Sequence, residues 1–279
     1  MVQIGKISTL KVNRFVDFGA FLEAGDGIEI LLPKRYLTEG VKEGDEIDVF
    51  VYNDSEDRLV AVTDRPKAMV GEFALLRVSQ VNATGAFLDW GLPKELLVPF
   101  REQKVRMEQG RYYVVYIYLD DNTKRIVASA KLDKFVDNTI PHYRTDELVD
   151  VLIAKRTDLG YRVIINNLHW GMIYHNEVFA EINIGEHHQA RVKTIRRDGK
   201  IDLLLGTKAK SRTADLAERL VEHMRANGGS MHITDASTPE ESRAYFKCSK
   251  RDFKQAIGHL FKKHRIDIQP DAITLVTNK

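Results

Sequence analysis

Gly19-Ala20-Phe21-Leu22 returns along the chain as Gly85-Ala86-Phe87-Leu88, and Leu31-Leu32-Pro33 returns as Leu97-Val98-Pro99, both at an offset of 66 residues. Gly44 and Gly110 keep that offset. The runs Arg58-Leu59-Val60-Ala61-Val62 and Arg125-Ile126-Val127-Ala128-Ser129 agree after one further residue. Landmarks that recur at a constant spacing mark a duplicated structural unit, and the unit has to be recognised before any local pattern is read. A third, more diverged copy lies 75 residues beyond the second: Gly85 maps to Gly160, Pro99 to Tyr174, Gly110 to Gly185 and Arg125 to Lys200.

Every copy carries an alternating run followed by turn formers. Glu46 to Tyr52 precedes Asn53-Asp54, Tyr113 to Tyr118 precedes Asp120-Asp121-Asn122, and Gln189 to Ile195 precedes Arg197-Asp198-Gly199. Period-two alternation closed by such residues signals a hairpin. Three copies of about five short strands predict three small antiparallel barrels of the OB type rather than one large sheet. We place them at residues 1–64, 65–140 and 141–210. Gly19, Gly85 and Gly160 read as bulges or sharp barrel corners, the usual place for a glycine in a strand.

After Thr207 the period changes. Leu216, Ala217, Leu220, Val221 and Met224 recur at helical spacing up to the stop Asn227-Gly228-Gly229. Ser237-Thr238-Pro239-Glu240-Glu241 supplies a capping hydroxyl, a first-turn proline and carboxylates at the positive end of a helix dipole. Ser249 and Asp252 open another helix with Phe253, Ala256, Ile257, Leu260 and Phe261 as its buried stripe. Ile266–Ile268 and Ala272–Val276 flank Gln269-Pro270-Asp271 as a terminal hairpin. The fold class is multidomain and mainly β, three five-stranded OB-type barrels followed by an α+β winged helix-turn-helix over 211–279.

Composition excludes several classes. At 43% hydrophobic and 29% charged residues the 279-residue chain sits near the average of soluble globular proteins, not of disordered, collagenous or membrane-embedded ones. Its longest apolar run, Tyr112 to Leu119, is far short of the roughly 18 residues a membrane span needs. The amino terminus shows no cationic lead before an apolar core, so no secretory signal is expected. Cys248 is the single cysteine, which forbids an intrachain disulfide and agrees with a reducing cytoplasm. Charge is distributed unevenly: residues 1–64 carry −6, 65–140 carry +3, 141–207 are balanced and 208–279 carry +5. A polyanion is repelled by the amino-terminal region and attracted by the carboxyl-terminal one.

Val16-Asp17-Phe18-Gly19-Ala20-Phe21-Leu22, followed by Ile30-Leu31-Leu32-Pro33, resembles the S1 domain, an RNA-binding barrel of the OB class. The resemblance implies a nucleic-acid face lined by two aromatics, here Phe18 and Phe21, a position matching Pro33, and an acid and a base matching Asp54 and Arg58. Bases of a single strand stack on such rings while cations follow the phosphates. The second unit keeps Phe87, Asp121 and Arg125 but has Thr84 for the first aromatic and Pro99 where the family often has histidine. In the third, Leu159 and Arg162 replace the aromatic pair. It gains Tyr174 at the histidine position, His169-Trp170 just before it, and Arg196 and Lys200 in the places of the acid and base.

The last helix adds Lys250, Arg251, Lys254, Lys262, Lys263 and Arg265; of these Arg251, Lys254 and Lys262 share one face opposite the apolar stripe, placed to reach phosphates. Gly258 on that face admits close backbone approach. Enzymatic motifs are missing: no Walker loop, no Gly-x-Gly-x-x-Gly, no paired Cys or His at ligand spacing. His187-His188 in a loop carries no metal expectation, and Cys248 reads as a small buried residue. We expect no catalytic residues, no cofactor, no metal and no small-molecule substrate.

The order of three S1-like barrels and a winged helix, with the phrase Ile28-Glu29-Ile30-Leu31-Leu32-Pro33-Lys34, resembles the conserved virulence factor B family of bacterial RNA-binding proteins. That resemblance implies a cytoplasmic, non-catalytic protein that binds single-stranded or structured RNA and acts on gene expression after transcription. Aromatics and positive charge coincide in the third barrel and the winged helix, which we expect to hold the main surface, with weak modules joined through short linkers. Two other classes stay open, a DNA-binding regulator led by the winged helix and an RNA-processing enzyme.

Overall fold

The computed structural model describes residues 2–178, 181–206, 209–234 and 237–276. It divides into two compact units, Met1–Asn138 and Thr139–Lys279.

The first unit contains two closed barrels. One is built from β1 (Ile7–Val16), β2 (Gly19–Glu23), β3 (Glu29–Pro33), β4 (Glu46–Asn53) and β5 (Leu59–Val62); the other from β6 (Phe73–Val81), β7 (Gly85–Asp89), β8 (Leu96–Pro99), β9 (Tyr112–Leu119) and β10 (Ile126–Ser129). In both, the first three strands form an antiparallel meander and the fifth strand runs parallel to the third, closing the sheet through the fourth. Closure leaves no free sheet edge.

These two barrels are not beads on a linker. Their inward residues form one hydrophobic core, in which Phe50 of β4 meets Trp90, which follows β7, edge to face at 5.7 Å. Backbone bonding continues across the joint, with the Val70 amide donating to the Gly5 carbonyl. The short linker expected between modules is therefore accompanied, between the first two barrels, by a shared apolar core.

The second unit begins with a third closed barrel: β11 (Leu148–Arg156), β12 (Gly160–Ile165), β13 (His169–Tyr174), β14 (His187–Ile195) and β15 (Ile201–Leu205), in the same strand order. The winged helix follows, with α1 (Ala209–Ala226), β16 (Ser230–Met231), α2 (Pro239–Phe246), α3 (Lys250–Lys262), β17 (Ile266–Ile268) and β18 (Ile273–Leu275); the three strands pair in the order β16-β18-β17. Thr238 and Glu241 form a full capping box at the start of α2, and Ser249 caps α3 by accepting from the Asp252 amide. Leu216, Leu220, Phe253 and Leu260 lie in its core. No helix among the described residues is long and apolar enough to cross a membrane.

Two expectations change. Gly19, Gly85 and Gly160 do not mark the bulges. The register shifts fall in the preceding strands, between Val12 and Arg14, Val78 and Gln80, and Ile153 and Lys155. At the glycines the backbone presses on its partner strand: an added Cβ would stand 2.2 Å from the Leu32 carbonyl oxygen, 2.3 Å from that of Val98 and 2.1 Å from that of Ile173. Phe261 is 50% exposed rather than buried. At roughly 100° per residue it falls about a quarter turn away from the stripe centred on Phe253 and Leu260.

Candidate nucleic-acid interface

The shared register lets the three barrels be compared position by position. In the first, Arg14 pairs with Phe21 across β1 and β2, and Phe21 pairs with Leu31 of β3. Glu29, two residues before Leu31, lies on the same outer face. The Arg14 guanidinium sits 4.2 Å above the Phe21 ring and bridges Glu29 at 2.7 Å. Hydrogen bonds from Arg14 and Asn13 hold the Glu29 carboxyl below the usual carboxylate range. The cation is thus spent on an internal acid. In the second barrel the row reads Gln80, Phe87, Glu95, with Gln80 donating to Glu95 at 2.6 Å.

The third barrel rewrites that row. Lys155 pairs with Arg162, and Arg162 with Met172, so Lys155 takes the position of Arg14, Arg162 that of Phe21, and Trp170 that of Glu29. The Arg162 guanidinium lies 3.7 Å from the centroid of the Trp170 ring. An acid has become an indole and a ring has become a cation. Trp170, Met172 and Tyr174 alternate outward along β13 while His169, Gly171 and Ile173 point inward. Sequence reading missed Lys155, because nothing local marks it; the bulge that aligns it with Arg162 is the signal.

Beside this row, Tyr174 pairs with Gly160, and its hydroxyl accepts from Arg196 and donates to Asp202. Arg196 also bridges Asp202 at 2.9 Å. Lys200 meets the exposed Asp198 at 2.9 Å. Arg162, Trp170, Tyr174 and Arg196 therefore converge on the outer face of β12, β13 and the turn before β15.

His169 does not join them. It is 4% exposed, its Nε2–H donating to the Thr139 carbonyl at 2.8 Å and its Nδ1 accepting from the Tyr143 hydroxyl at 2.8 Å. Its expected place on the binding face is corrected: adjacent residues of a strand point to opposite faces, and only Trp170 of the pair faces outward.

In the first unit the predicted bases are engaged elsewhere. Arg58 is held by Asp54 and Glu56 at 2.7 and 2.9 Å. Arg125 reaches out of the second barrel to Asp57 of the first. The acid matching Asp54 is Asp120 rather than Asp121, since the amides of Asp54 and Asp120 donate to the Arg58 and Arg125 carbonyls alike. Phe18 is 60% exposed and meets Phe21 edge to face at 6.4 Å, while Phe87 is half-buried.

On α3, Arg251, Lys254 and Lys262 are exposed on one side and Lys250 is half-buried at the first turn. Arg265 pairs with Glu218 of α1. Among the described residues no cluster of three or more His, Cys, Asp or Glu is arranged to hold a metal. The Cys248 thiol is buried and its pKa is pushed up to about 11 by that burial.

The S1 domain family matches residues 4–64 and 70–131, and the CvfB-like winged helix domain family matches residues 218–275. The uncharacterized Bacillus subtilis (strain 168) protein YitL is 29% identical over 277 residues, 94% of this chain and 90% of its own. Conserved virulence factor B is 23% identical over 281 residues in Staphylococcus epidermidis (strain ATCC 12228 / FDA PCI 1200) and 24% over 290 residues in Staphylococcus aureus (strain USA300), in both cases covering 98% of this chain and 94% of the relative. Among solved structures, a multidomain protein with nucleic acid binding domains from Streptococcus pneumoniae TIGR4 aligns over 98% of each chain at 23% identity, with a TM-score of 0.43.

Proposed function

We propose that this chain, which carries S1 domains and a CvfB-like winged helix domain and is similar over nearly its whole length to proteins named conserved virulence factor B, is a non-catalytic RNA-binding protein of the bacterial cytoplasm that regulates expression after transcription. Its main surface is the outer face of the third barrel together with the basic side of α3. The observation that carries this reading is the row Lys155, Arg162, Trp170, where the first two barrels carry Glu29 and Glu95. Two cations and an indole on one outward strip offer a base a stacking plane and a phosphate a counter-charge; a carboxylate there would repel the same strand.

A single-stranded RNA and a duplex DNA of equal length, titrated with the full chain at one stated salt, test the reading. Tighter binding to the RNA supports it, and a clear duplex preference replaces it with a DNA-binding regulator led by the winged helix. In the same tubes, labelled RNA incubated with magnesium, zinc or manganese stays intact; cleavage would make the protein a processing enzyme.

A further inference from the structure

We infer that α3 carries a second stacking platform, centred on Phe261 over Gly258, which takes an unpaired base rather than a duplex groove. The inference rests on the RNA-binding reading above and names the ligand of its winged-helix half. Phe261 is 50% exposed, and Tyr245 of the neighbouring α2 is 64% exposed. These are the large aromatics of the second unit that the described structure leaves open to solvent; Trp170 and Tyr174 are half-buried against their cations.

The surroundings of Phe261 fit a stacked base. At helical spacing Lys254 lies two turns before it and Gly258 one turn before it on the same side, with Lys262 next to it and Arg251 nearly three turns before it. A side chain on a helix leans over the turn on its amino-terminal side, so the Phe261 ring leans toward Gly258. A Cβ built on Gly258 meets nothing within 4 Å, so this glycine serves no close packing and leaves a bare patch beside the ring. The basic excess of +5 over residues 208–279 supplies the complementarity to phosphate. A helix reading a duplex groove sends polar side chains to base edges. A ring framed by cations and bare backbone instead matches single-strand recognition.

The test uses the full chain, a fluorescein-labelled mixed-sequence single-stranded RNA, and the same strand annealed to its complement, at two salt concentrations. Phe261→Leu keeps the apolar volume and removes the π face. It is expected to weaken single-strand binding by about tenfold, the size of one lost base stack, with an unchanged salt slope and unchanged duplex binding. Phe261→Trp retains the affinity. Gly258→Met covers the patch: it raises the melting temperature, because glycine is a poor helix former, and still weakens single-strand binding. Wild-type affinity in both Phe261→Leu and Gly258→Met, or an equal loss on single strand and duplex, overturns the platform while leaving the RNA-binding reading standing. A wild-type chain that binds neither probe overturns both.

Discussion

Arg125 of the second barrel closes a bidentate ion pair on Asp57 of the first, its Nε 2.8 Å from Asp57 Oδ1. The base that the S1 resemblance assigns to nucleic acid in the second barrel is therefore part of an inter-barrel joint. Lys94, which lies just before β8, completes the joint by donating to the carbonyls of Asn53 and Asp54 at 2.8 and 2.6 Å. These basic residues of the first unit serve its own architecture, and the row Lys155, Arg162, Trp170 stands in the second unit.

The two joint contacts differ in weight. Asp57 and Arg125 are about half exposed, and water screens such pairs. Lys94 is half-buried and serves two carbonyls of half-buried residues. Lys94→Met is expected to cost about 1–3 kcal/mol in urea denaturation, the penalty of unmet acceptors, and Arg125→Ala clearly less. The reverse order would show that the joint is held by charge.

The third barrel row predicts a ranking. Trp170→Leu removes the stacking plane and should weaken single-stranded RNA binding by about tenfold. Trp170→Glu restores the acid found in the first two barrels and should weaken it further, with a shallower salt slope, because the new carboxylate neutralises Lys155 or Arg162. Fluorescence anisotropy at several salts reads both quantities. Equal affinities for Leu, Glu and the native residue would remove this barrel from the interface.

His169 separates stability from binding. His169→Phe leaves the Thr139 carbonyl and the Tyr143 hydroxyl without their partner, an expected loss of about 1–3 kcal/mol in thermal denaturation. RNA affinity of the folded variant should be unchanged. A selective loss of affinity would restore the histidine to the binding face.

The barrel glycines answer to contact distance. Gly160→Ala drives a methyl to 2.1 Å from the Ile173 carbonyl oxygen, so β12 and β13 must part, at an expected cost of about 1–3 kcal/mol or more. Gly258→Ala, with open space around it, should instead stabilise α3 by up to about 1 kcal/mol. Melting curves of the two variants shifting in the same direction would contradict this account.

Cys248 is predicted to resist alkylation in the native state. Burial raises its pKa to about 11, so at neutral pH it is a thiol inside the core of the winged helix. Because the folded value lies above the ordinary one, the thiol's contribution to stability is complete below the ordinary pKa and is lost as pH rises toward 11. Iodoacetamide labelling at pH 8 should track unfolding, measured as labelled fraction against urea; rapid labelling without denaturant would place the thiol at the surface.

Much of this architecture was legible in the chain alone. The Gly-Ala-Phe repeat, the alternation along Tyr113–Tyr118 and the caps at Thr238 and Ser249 are local signals, and local signals set strands, helices and their order. The same period-two rule already separates His169 from Trp170, given the strand's phase. Phe261 was misplaced because a helical wheel near the end of α3 leaves an edge residue a quarter turn from the core, where only the neighbouring elements decide whether it is covered.

The chain by itself determined the three barrels, the winged helix and the residue types able to grip a polyanion, because periodicity and turn chemistry act between residues near in sequence. Tertiary structure alone decided which charges remain outward. Whether Arg14 spends its charge on Glu29, Arg125 on Asp57 or Arg162 on the face of Trp170 depends on bulges and strand register that bring together residues 8 to 68 positions apart, and electrostatic interactions follow distance in space, not along the chain.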